Sequence, residues 1–429
     1  MGLIRQNGFG WAGVLALSVA CGSGEVRGPQ TSGPTLPDAR ATSEWAADFP
    51  SESDYAIVLG VLDDPVVQGS MADAQGQPLL PQWWVSTVSD AYLGTDVDDA
   101  LALENFYDQW RLVSIRVSPC APLGVAPYQD IDQLCWPTVR LVWQPVVEDL
   151  RLLWGVQTDF YADDRAIHAI YPLAARERDG SLIGGGLRQE VAGYLKGGAL
   201  PYVIPNATRA AFSEQRDSTA DWLIGVVHWL RESELRQGSY SGFGVRPELM
   251  VGGQVAADFE SRLTAFLAEL AQNQYLDELT SFSLPEGRMP GSADSWVFVG
   301  FDGNEGSPRL KSLSVIGRES GRELINIGLS QTVAVGGEDA VIEEALERGN
   351  PELRDSLIIT GDDIASMTED VADPYEFLVP NTSCGSCHRM NNDLRFNFHA
   401  FSGFENDGTT VSRRVERDVA RDIAWTLGR

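Results

Sequence analysis

The placement of five cysteines constrains this chain more than any other feature, because each pairing either joins distant backbone or fixes a short motif. They stand at Cys21, Cys120, Cys135, Cys384 and Cys387. Cys384 and Cys387 form a Cys-x-x-Cys unit, and Cys21 closes an apolar N-terminal run. Cys120 and Cys135 remain, on either side of a Pro-bearing stretch in "SPCAPLGVAPYQDIDQLCWPTVR". In an oxidising, exported setting two such leftover cysteines read as a disulfide. Closing a loop of that length stabilises by about 3 kcal/mol in the chain-entropy model. Two separate thiols are the alternative.

The N-terminus supplies the export signal. "MGLIRQNGFGWAGVLALSVAC" has one positive charge at Arg5, an apolar run from Phe9 to Ala20 and small residues before Cys21. That pattern is a secretory signal, and the run is too short for a permanent bilayer span. Ending at a cysteine, it resembles a bacterial lipoprotein signal, which implies that Cys21 becomes the lipid-bearing first residue. Ser18 departs from that pattern, since Leu or Val is usual there and Leu17 stands one place early. Ordinary cleavage before Cys21 also fits. Residues 1–20 are thus assigned to the signal and 21–44 to a Gly/Ser/Pro tether.

With 429 residues, the remainder is long enough for two domains or three. A net charge of −29 excludes the basic stripe that nucleic acid requires and suits a soluble acidic surface. The expected fold class is α+β. Short runs rich in β-branched and aromatic residues, at 54–62, 110–117, 138–146 and 165–173, predict an antiparallel, β-rich domain over 45–205. An α+β domain is expected over 206–375. There Ser218 with Asp221 reads as a capping box opening a helix. Phe259, Leu263, Phe266, Leu267 and Leu270 share one helical face. Strands are expected at 295–303, 310–317 and 323–330, and a helix near 338–347. A final helix carries Val411, Val415, Val419, Ile423 and Leu427 at four-residue intervals, with Arg414 and Asp418 able to pair on the other side. Its apolar stripe needs a partner surface, either a cofactor edge or the neighbouring domain.

The densest chemistry lies in "NTSCGSCHRMNNDLRFNFHAF", residues 381–401. In Cys-x-x-Cys-His two thiols about one helical turn apart can form thioethers with the two vinyl groups of one haem, and the adjacent histidine then ligates the iron. Cys384, Cys387 and His388 fit this directly, with small Gly385 and Ser386 between the thiols. Zinc is a rival reading, but a closed site usually takes four ligands and no third cysteine is near. A redox dithiol is the other, yet the lead-in "DVADPYEFLVPNTS" is a Pro-bearing loop rather than a thioredoxin-like strand.

This segment resembles the haem site of bacterial c-type cytochromes, over residues 381–429 and not the larger part before them. The resemblance implies one covalent haem c, held by a small, mainly helical segment over 376–429. Many single-haem members supply a distal methionine well downstream, and here the pattern departs. The one methionine after His388 is Met390, and two residues span at most about 7 Å. His399, among Phe396, Phe398 and Phe401, is the expected distal ligand, giving iron ligation by His388 and His399. A hydrogen bond from His399 to a haem propionate is the competing role. Arg389 and Arg395 are placed to neutralise propionates, or are simply solvated. His168 and His228 are expected to be hydrogen-bonded core residues.

The arrangement of signal, tether, large soluble part and haem segment also resembles bacterial lipoproteins with a cytochrome c-like tail. The expectation is an exported protein, lipid-anchored at the outer membrane or periplasmic, or placed at the cell surface. It would touch the membrane only through its anchor and exchange electrons with an unidentified redox partner. No HExxH helix, Walker loop, GxSxG elbow or GxGxxG loop in its proper context points to an enzyme. Electron transfer is the reading favoured over catalysis. A haem-dependent oxidoreductase or peroxidase-like enzyme, and a haem-bearing sensor or scaffold, are the other classes kept open.

Overall fold

The computed structural model describes residues 55–58, 79–80, 110–123, 133–149, 159–162, 166–184, 186–196, 204–231, 257–271, 275–283, 295–302, 309–311, 313–315, 318–320, 322–326, 332–335, 358–359 and 413–429. All of them belong to the compact unit Pro34–Arg429. The fold is α+β, an antiparallel sheet with helices.

The strands are β1 (Ala56–Val58), β2 (Trp110–Pro122), β3 (Cys135–Asp149), β4 (Asp159–Ala162), β5 (Ala166–Pro172), β6 (Glu278–Ser283), β7 (Ser295–Asp302), β8 (Arg309–Lys311), β9 (Leu313–Val315), β10 (Arg318–Ser320), β11 (Arg322–Asn326), β12 (Thr332–Val335) and β13 (Ile358–Ile359). The helices are α1 (Leu187–Lys196), α2 (Asn206–Arg231), α3 (Ala257–Leu270) and α4 (Arg413–Leu427). Hydrogen bonding orders the sheet β1-β2-β3-β5-β6-β7-β11-β12-β13, with β4 on β3 and β8 on β7. β9 and β10 form a separate antiparallel pair. β5 lies before residue 205 and β6 after it, and the two pair from Ala166↔Phe282 to Ile170↔Glu278. The sheet therefore runs across the expected boundary near 205.

Alternation explains why these strands form. One row across the sheet, Ile57–Ile115–Leu141–Ala169–Leu279–Phe301, is apolar and buried on six neighbouring strands. The adjacent row begins Ala56–Arg116–Arg140 and points the other way. A register shift between Leu112 and Ser114 inserts one residue into β2, which lets Leu112 and Ile115 both be buried despite their odd spacing. A second shift lies between Ser118 and Ala121, where β2 contains Pro119 and Cys120. Proline has no N–H for the ladder, so an irregularity there follows from the sequence.

A second core forms from Leu123, Leu134, Trp136, Ala175, Val191, Leu195, Ile204 and Phe212. It joins the β2–β3 end to α1 and α2, with the Trp136 and Phe212 rings 5.3 Å apart and Trp136 donating to the Leu173 carbonyl at 2.8 Å. α1 falls in the stretch expected to be β-rich. "LRQEVAGYLK" turns Val191 and Leu195 inward at four-residue spacing, a helical period. α3 buries Leu263, Phe266, Leu267 and Leu270, the face expected for it.

Two expectations are corrected. The helix expected to open at Ser218 opens at Asn206, directly after Pro205, whose carbonyl accepts from the Arg209 N–H. Ser218 is therefore a mid-helix residue and caps nothing. Its hydroxyl donates to the Arg176 carbonyl at 2.6 Å, and the neighbouring Thr219 hydroxyl accepts from the Arg176 N–H at 2.9 Å. The polar first half of α2 hid it from a search for apolar periodicity.

The second correction concerns α4. Val419 is fully buried, but Leu427 is 64% exposed, so the expected stripe is not buried along its length; Val411 lies outside the described residues. A four-residue interval advances about 40° beyond a full helical turn, and four such steps accumulate roughly 160°. Among the described residues of the helix, the buried positions are Val419, Arg421 and Asp422. The sheet is in contact with the helix, at β2. Strand is found in the stretch expected over 310–317, as β8 pairing with β7 and β9 pairing with β10. The helix expected near 338–347 lies outside the described residues.

Candidate functional site

Of the sequence-derived candidates, Cys21, Cys384, Cys387, His388, Arg389, Arg395 and His399 lie outside the described residues. Cys120 and Cys135 lie within them and are joined as a disulfide, with Cα atoms 4.8 Å apart. The bridge ties the last turn of the β2 ladder to the first residue of β3, beside the pairing Pro122↔Cys135. His168 sits half-buried on β5, in register between Val142 and Thr280. His228 is buried on α2.

The docking of α4 on β2 forms a concentrated polar cluster. Asp422 is fully buried. Its carboxylate accepts from Ser118 Oγ at 2.8 Å, from Arg116 Nη2 at 2.5 Å and from Arg421 Nη2 at 3.1 Å. A buried carboxylate is tolerable only with such partners, because its desolvation is otherwise very unfavourable. Arg421 also donates from Nη2 to the Cys120 carbonyl at 3.1 Å, so the helix grips the backbone of a bridged cysteine. Arg116 Nη1 in turn donates to the Tyr55 carbonyl at 3.1 Å.

The next helical turn adds a third tie. Thr426 Oγ1 donates to the Asp422 carbonyl at 2.8 Å, so its hydrogen is committed. Tyr55 must then be the donor in the 3.0 Å hydrogen bond between Tyr55 and Thr426. Trp425 lies under two guanidinium groups, Arg429 at 4.2 Å and Arg216 at 5.3 Å from its ring centroid. Arg429 also pairs with Asp217 and Asp221 of α2. The helix after the Cys-x-x-Cys-His segment is thereby fastened to Tyr55, just before β1, and to β2 and α2.

These side chains form joints between elements rather than a cluster of reactive groups. Among the described residues, no group of three or more His, Cys, Asp or Glu is placed to hold a metal ion. Nor is any described helix long and apolar enough to cross a membrane. Sequence reading overlooked Arg421 and Asp422 because charged neighbours on a helix ordinarily signal a solvated face. The available signal was the spacing of Val415, Val419, Asp422 and Thr426 at three and four residues.

No protein-family model, curated protein or solved structure matches this chain.

Proposed function

We propose that this chain is an exported, lipid-anchored protein that carries one covalent haem c in its 376–429 segment and transfers single electrons to or from a redox partner. The observation that carries this reading is the pentapeptide Cys384-Gly385-Ser386-Cys387-His388. Cys384 and Cys387 provide the two thioethers, His388 the proximal ligand and His399 the distal one. Arg389 and Arg395 lie next in sequence to neutralise the propionates. The bound group supplies a reversible Fe(III)/Fe(II) couple, and two histidine ligands set a lower potential than a histidine–methionine pair. The Cys120–Cys135 disulfide supports the reading in two ways. It accounts for two of the three cysteines outside the motif, and it suits the oxidising compartment in which c-type haem is attached. Cys21, after the apolar N-terminal run, provides the anchor.

The test is an alkaline pyridine haemochrome spectrum on protein exported from a host with haem-attachment machinery, beside C384A/C387A. A c-type spectrum that survives denaturation and acid–acetone extraction, and is lost in the double variant, is expected. Folded protein without haem under those conditions would overturn the proposal and make metal analysis the next step. The spin state then separates function classes. A six-coordinate low-spin spectrum fits electron transfer, whereas a five-coordinate form that binds CO points to an enzyme or sensor. Loss of the low-spin signal in His399→Ala is the expected sign of distal ligation.

A further inference from the structure

We propose that α4 shields the Cys120–Cys135 disulfide, so that undocking of this one helix, not unfolding of the sheet, sets how fast a thiol reaches the sulfurs. The inference does not depend on the haem reading. Both cysteines are wholly buried at the end of the β2–β3 hairpin. The contacts of α4 land on the strand leading into the bridge: Asp422 on Arg116 and Ser118, and Arg421 on the Cys120 carbonyl. Exchange requires a thiolate to attack one sulfur and form a mixed disulfide while the other sulfur leaves as thiolate. That attack needs access that the docked structure denies.

Which element opens first follows from what holds each one. β2, β3 and β5 are joined by ladder hydrogen bonds and by the buried Leu112, Ile115, Val117, Val139, Leu141 and Ala169. Among the described α4 residues Val419 is the one fully buried apolar side chain, Val415, Ile423 and Trp425 are only half-buried, and ionic, hydrogen-bonded and cation–π contacts carry much of the docking. Elements with little buried apolar contact open below the global unfolding free energy. The chain also carries Cys384 and Cys387. In the chain before any thioether has formed, when both are still thiols, attack by either thiolate on Cys120 would release the Cys135 thiolate with no net oxidation or reduction. A docked α4 keeps the structural bridge out of that exchange.

The experiment measures reduction by dithiothreitol on the full chain. Aliquots are quenched with N-ethylmaleimide, and alkylation at Cys120 and Cys135 is read from peptide masses, apart from the other cysteines. For the wild type, the reduction rate is expected to rise with urea along a slope well below that of equilibrium unfolding. Asp422→Asn is expected to speed reduction about tenfold or more while near-UV circular dichroism stays native. Tyr55→Phe with Thr426→Val is expected to speed it less, and serves if Asp422→Asn does not fold. A wild-type urea slope equal to the global one overturns the proposal. So do equal reduction rates in wild type and folded α4 variants.

Discussion

Ser118 of β2 donates its hydroxyl to the Asp422 carboxylate of α4 at 2.8 Å, across 304 positions of sequence. With Arg116 and Arg421 on the same carboxylate, this bond makes α4 part of the sheet domain. The helix is not simply the end of a tail.

Asp422→Ala leaves Arg116 and the buried Arg421 without their shared carboxylate. Removing one partner of a buried charged network typically destabilises by roughly 3 to 5 kcal/mol. Urea unfolding of the full chain is expected to show a loss of that order. Ser118→Ala should lose much less, and the double variant should lose less than the two single variants combined.

Ending the chain before Arg413 removes Val419, Arg421, Asp422 and Trp425 together, and strips Arg116 and Ser118 of their partner. Such a truncation is expected to lower the melting temperature of the sheet domain and expose Tyr55. Unchanged melting would contradict the anchoring described here.

Gly180 has φ +83°, and a Cβ there would lie 2.7 Å from Trp222 Nε1. Trp222 is also the ring on which Arg176 stacks at 4.2 Å. Gly180→Ala is expected to cost about 1 to 2 kcal/mol for the left-handed backbone alone. Displacing Trp222 adds to that, and tryptophan fluorescence should shift with the melting temperature.

Burial raises the pKa of Tyr171 well above that of a free tyrosine. Its hydroxyl donates to the Leu79 carbonyl at 3.4 Å. The neutral phenol is therefore favoured in the folded state, while the unfolded chain releases this proton near its ordinary pKa of about 10. Above that pH the unfolded state binds fewer protons than the native one, so stability falls as pH rises. Chemical denaturation between roughly pH 9 and 11 should show that decline, and Tyr171→Phe should flatten part of it.

Local patterns carried a good deal of this. Alternation in 110–117, 138–146 and 165–173 located β2, β3 and β5, because a strand with one buried face must place apolar residues at every second position. The helical spacing of Leu263, Phe266, Leu267 and Leu270 located α3 for the analogous reason. Cysteine counting paired Cys120 with Cys135. The Cys384–His388 motif is likewise a matter of spacing, and that candidate site is legible only in the sequence. Tertiary structure decided what no local pattern specifies. Ser218 and Thr219 lie within a long helix because Arg176 offers its backbone to both hydroxyls. α4 turns Asp422 inward because Arg116 and Ser118, from a distant strand, supply the donors that make a buried carboxylate tolerable. Periodicity acts over a few residues. Satisfying a buried charge depends on groups that only the folded chain brings together.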